Sequence, residues 1–123
     1  MRDYIRIEEL LGKIFVDIKV NNDQEQIIFT CDDGKKYLMF HSQDCCESVN
    51  IEDIVGDLDD LLNEPLLMAE EATNSEDTMG KDVYDSFTWT FYRFATKKGY
   101  VTIRWYGESN GYYSESVDIV ELK

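Results

Sequence analysis

The 123-residue sequence predicts an α+β fold: a single domain, mostly antiparallel sheet, with one central acidic helix. Two stretches alternate apolar and polar residues with period two, one near each end of the chain. A middle stretch repeats its apolar residues with period 3.6, and a strong hairpin turn at Asp32-Asp33-Gly34-Lys35 fixes the first half as a meander.

Taken in order, Tyr4 to Leu11 suits a short helix or the approach to a strand, closed by Gly12. Ile14, Val16, Ile18 and Val20 alternate with Phe15, Asp17 and Lys19, which predicts a half-buried strand. Asn21-Asn22-Asp23 turns the chain into a second strand, Gln26 to Cys31, and the Asp-Asp-Gly turn leads to a third, Lys36 to His41. Ile51, Ile54, Val55, Leu58, Leu61 and Leu62 then fall on one helical face, and Pro65 stops the pattern. Leu66 to Thr73 suits a strand or irregular chain, and polar Asn74 to Lys81 suits a mobile loop. Phe87, Trp89 and Phe91 alternate with threonines, and we expect these aromatics in the core rather than on a base-stacking sheet. Lys97-Lys98-Gly99 turns into Tyr100 to Tyr106, with Val101, Ile103 and Trp105 on one face. A loop containing Asn110-Gly111 leads to a last strand within Tyr112 to Leu122.

Charge is distributed unevenly. From Asp44 to Asp85 there are fourteen acidic residues and one base, Lys81, while the rest of the chain is nearly neutral; the whole carries −14. So strong a field is not needed for folding, since like charges destabilise the compact state. It disfavours direct binding to nucleic acid or to an anionic membrane. No apolar run nears the roughly 20 residues that span a bilayer. The N-terminus lacks the apolar stretch of a secretory signal, so the expected location is the cytoplasm.

Three cysteines, Cys31, Cys45 and Cys46, make no disulfide framework. His41-Ser-Gln-Asp-Cys-Cys-Glu47 gathers the only histidine with two of them, and imidazole and thiolate are the donors zinc prefers. The expected ligands are His41, Cys45 and Cys46, with Asp44, Glu47, Asp57 or water as the fourth. Cys31 is too far, roughly 17 Å from His41 at strand rise. Core cysteines with an ordinarily hydrogen-bonded histidine are the alternative reading. A thiol hydrolase with Cys45 as nucleophile and His41 as base has the wrong spacing for known cysteine hydrolases. Asp57-Leu58-Asp59-Asp60 fails as a calcium loop, since Leu61, Leu62 and Met68 stand where oxygen ligands and glycine are required. On the expected helix Glu52, Asp53, Asp57, Asp59 and Asp60 form an acidic face without interleaved bases, resembling a row of phosphates.

The string from His41 to Val49, Gly56-Asp-Leu58, Trp89-Thr-Phe-Tyr92 and Arg104-Trp-Tyr-Gly-Glu-Ser-Asn-Gly-Tyr-Tyr-Ser114 resemble a family of small phage and prophage proteins. The chain is also similar to type II-A anti-CRISPR proteins of prophage origin. That resemblance implies a zinc-bearing, non-enzymatic inhibitor in the host cytoplasm that binds the RNA-guided DNA endonuclease and blocks target DNA loading. The acidic face would be the contact surface and the zinc would be structural. The rival expectations are a thiol- or metal-dependent hydrolase, and a small-ligand sponge built from C-terminal Trp, Tyr and Arg residues in another phage counter-defence pathway.

Overall fold

The computed structural model describes residues 2–44, 46–77, 86–109 and 114–122. Nine strands form two antiparallel sheets, with two short 3₁₀ turns and no α-helix among the described residues. The first sheet has the order β1-β9-β4-β3-β2: β1 Arg2–Tyr4, β2 Phe15–Val20, β3 Gln26–Cys31, β4 Lys36–Phe40 and β9 Asp118–Leu122. The second has the order β5-β8-β7-β6: β5 Ser48–Val55, β6 Met68–Asp77, β7 Ser86–Thr96 and β8 Gly99–Ser109. The architecture is all-β, which corrects the expected α+β fold. No helix among the described residues is long and apolar enough to cross a membrane.

The central acidic helix is absent for a definable reason. Ser48–Val55 is a strand with a bulge between Ile51 and Asp53, so Ile51 faces Trp105 and Ile54 faces Ile103. One extra residue in a strand turns an i, i+2 repeat into i, i+3. Leu58–Leu61 is a 3₁₀ turn, in which residues three apart also share a side. Leu62 then bridges Phe15. A bulge, a 3₁₀ turn and a bridge together imitate a helical stripe. Gly56, at φ +107°, separates the first two, and a Cβ there would overlap the Tyr100 carbonyl oxygen.

The sheets pack face to face around Phe15, Phe29, Met39, Phe94, Ile103 and Trp105. The Trp105 indole N–H donates to the Met39 sulfur, 3.3 Å away across the interface. Phe15, Phe29 and Phe94 form a ring cluster with centroids 4.9 to 6.4 Å apart. A bulge between Phe15 and Asp17 buries Phe15 and exposes Val16, the reverse of the simple alternation.

The β7 faces are also the reverse of the expectation. The Lys97-Lys98 turn sets Phe94 opposite Val101, Tyr92 opposite Ile103 and Thr90 opposite Trp105. Directly paired residues share a face, so Thr90, Tyr92 and Phe94 go inward with that apolar row. Phe87, Trp89 and Phe91 lie on the outer face. There Tyr106 sits 4.5 Å from Trp89, Arg104 lies over the Trp89 ring and Arg93 over Phe91. Asn74 to Asp77, expected in a mobile loop, belong to β6, while 78–81 and the Asn110-Gly111 turn lie outside the described residues.

Candidate functional site

The segment between β4 and β5 is organised by a buried His–Glu contact rather than by exposed donors. His41 Nδ1 donates to the Ser116 carbonyl at 2.6 Å, and Nε2 meets Glu47 Oε2 at 2.7 Å. The two side chains are 3% and 0% exposed. Glu47 Oε2 also accepts the Asp44 amide at 2.9 Å, and the Gln43 carboxamide donates to Oε1 at 3.2 Å and to the Glu47 carbonyl at 2.7 Å. Nδ1 is committed as a donor to the carbonyl, so Nε2 is left to share a hydrogen bond with a carboxyl group that already accepts from the Asp44 amide and the Gln43 carboxamide. Through Ser116, the pair fastens the β4–β5 loop to the segment that enters β9.

This arrangement does not fit the expected zinc site. Both nitrogens of His41 are engaged, so neither offers a metal a lone pair. Cys46 is disulfide-bonded, Cys31 is free and buried, and Cys45 lies outside the described residues. Asp44 contributes its backbone amide, and Glu47 is the partner of His41. Asp57 stands beyond the far end of β5, roughly 25 Å from Glu47 at strand rise. Among the described residues no three His, Cys, Asp or Glu side chains converge as a metal group. Burial, reinforced by Asp33, pushes the Cys31 thiol up to about 11, so it stays protonated at neutral pH.

The five acidic candidates separate into two groups. Arg104, from β8, makes a close ion pair with Glu52 and reaches Asp53 at 3.7 Å. Asp57 caps the 3₁₀ turn, its carboxylate accepting the Asp59 amide at 2.9 Å, with Asp59 and Asp60 following on that turn. Among the described residues no ion pair reaches Asp57, Asp59 or Asp60. The turn is anchored from several sides: Thr96 Oγ1 donates to the Asp60 carbonyl, Lys98 Nζ to the Leu62 carbonyl at 2.8 Å, and the Asn63 amide to the Phe15 carbonyl at 2.7 Å. Lys97 pairs with Glu64 at 3.4 Å. For Glu52, Asp53 and Glu64, the bases missing nearby in sequence are thus supplied across space by the β7–β8 hairpin.

Much of the remaining acid has a plain structural use. β5 and β6 are the two edges of the second sheet, and Glu52, Asp53, Glu70 and Glu71 lie along them. Charged edges discourage pairing with a further strand. Sequence reasoning missed Arg104 as the partner of Glu52, because that contact depends on a strand pairing 52 residues away in sequence.

A family model described as a domain of unknown function, DUF7448, matches residues 8–119. No curated protein and no solved structure matches the chain.

Proposed function

We propose a protein-binding role for this chain, which belongs to the DUF7448 family: an inhibitor that seats an acidic turn in a basic, nucleic-acid-binding groove. The observation that supports this reading is the unbalanced charge of Asp57, Asp59 and Asp60 on an anchored turn. A rigid group of carboxylates loses little entropy on docking, and a groove lined by Lys and Arg releases counterions to accept it. Following the resemblance to type II-A anti-CRISPR proteins, the groove belongs to the RNA-guided endonuclease of a type II CRISPR system, and occupying it prevents target DNA loading. Glu52 and Asp53 contribute less, since Arg104 already balances them.

The test is target cleavage by the guide-loaded endonuclease with wild-type protein and with Asp57→Asn/Asp59→Asn/Asp60→Asn. Asparagine preserves the cap at position 57, so the fold should persist. Loss of inhibition at unchanged melting temperature is expected. Full inhibition by the triple variant would remove the acidic turn from the mechanism.

A further inference from the structure

A second place in the molecule has the chemistry of a ligand site, independent of the acidic turn. At one end of the sandwich the inner face of the second sheet is polar. Glu71 and Thr73 of β6, Thr88 and Thr90 of β7, and Glu115 and Ser116 before β9 line a solvent-open cavity of about 260 Å³. An adjoining cavity of about 490 Å³ shares Glu71 and Val117 with it. Among the described residues the smaller cavity is lined by two carboxylates and five hydroxyls, with Val117 the one apolar residue and no base.

Glu115 is 7% exposed and accepts hydrogen bonds from Thr88 Oγ1 at 2.7 Å and from the Ser109 hydroxyl. Two hydroxyls occupy half of the four lone-pair directions of a carboxylate and supply no positive charge. Among the described residues no cation pairs with it, and a buried charge left unbalanced is costly. Thr90, 2% exposed, lines the same cavity, and its hydroxyl makes no hydrogen bond among the described residues. Glu71 faces the Tyr92 hydroxyl; burial and then Glu71 push the phenol well above its ordinary pKa, so it remains neutral.

We propose that this cavity binds a small organic cation carrying ammonium or guanidinium N–H donors, with Glu115 and Glu71 balancing its charge and Thr90 accepting a hydrogen bond. The wall is rich in acceptors, so the ligand is rich in donors. A monatomic metal suits it less well, because no three ligand side chains converge there among the described residues. An extended cation spreads its donors along the wall. The His41–Glu47 pair holds that wall in place through Ser116.

The experiment is calorimetric titration with agmatine, which carries both an amine and a guanidine, at physiological ionic strength. The result expected is one site per chain, weakened about tenfold or more by Glu115→Gln, in line with loss of a charged hydrogen bond. Thr90→Val, which touches no existing hydrogen bond, should weaken it several-fold and keeps the test decisive should Glu115→Gln fail to fold. Asp57→Asn/Asp59→Asn/Asp60→Asn should leave the affinity unchanged. No binding, equal binding of the neutral polyol ribitol, or weakening by the acidic-turn variant alone would overturn the proposal.

Discussion

Replacing His41 by alanine removes the buried ring that pairs with Glu47, whose side chain is 0% exposed. The carboxylate keeps the Asp44 amide and the Gln43 carboxamide but loses its buried partner on the β4–β5 loop. Breaking a buried pair by deleting one partner typically costs about 3–5 kcal/mol, much of it the uncompensated charge. For a chain of this length each kcal/mol corresponds to roughly 4 °C, so the melting temperature should fall by about 12–20 °C. Urea unfolding followed by tryptophan fluorescence measures the loss directly, provided the m-value stays constant. Glu47→Met added to His41→Ala should recover a substantial part, because the stranded charge is then gone. Additive losses in the double variant, or a single-variant loss below about 1 kcal/mol, would refute the buried pair. The same preparations separate the pair from a zinc site: a chelator should leave the wild-type melting temperature unchanged, and a large drop would assign the loop to metal instead.

Other consequences are equally specific. Gly56→Ala combines a left-handed backbone with overlap against the Tyr100 carbonyl, so it should destabilise by about 2 kcal/mol or more in the same urea assay. Gly34, also at positive φ but with open space around it, should tolerate alanine better. Cys31 has a folded pKa raised to about 11, above its unfolded value. Its contribution to stability is therefore full below the unfolded pKa and declines as pH rises toward 11. Cys31→Ala should flatten that alkaline decline, and native-state thiol labelling at Cys31 near pH 8 should be slow until denaturant is added.

The strands of the N-terminal meander were legible because their apolar alternation and the Asp-Asp-Gly turn are local. β5 was not, because a bulge at Glu52 and a 3₁₀ turn at Leu58–Leu61 reproduce helical spacing without a helix. The clue available was charge: a helix carrying Glu52, Asp53, Asp57, Asp59 and Asp60 with no base would repel itself along i, i+4 rows. The orientation of β7 was within reach, since the Lys97-Lys98 turn ties Phe94, Tyr92 and Thr90 to the apolar row of β8. The return of β9 to the first sheet was not, because it rests on pairings with β1 and β4 that no local pattern encodes. At the site, the crowding of His41 and Glu47 was visible in sequence. Their pairing depends on the Ser116 carbonyl, 75 residues away. Likewise the polar cavity assembles residues from β6, β7 and the segment before β9.

Equilibrium binding to the guide-loaded endonuclease at low and high salt tests most directly whether Asp57, Asp59 and Asp60 form the contact surface. Close interfacial charge pairs couple strongly, so the triple asparagine variant should bind about tenfold or more weaker at low salt. With fewer charges to screen, its salt dependence should also be shallower than that of the wild type. Equal affinities with equal salt slopes for the two proteins would contradict a contact through the acidic turn.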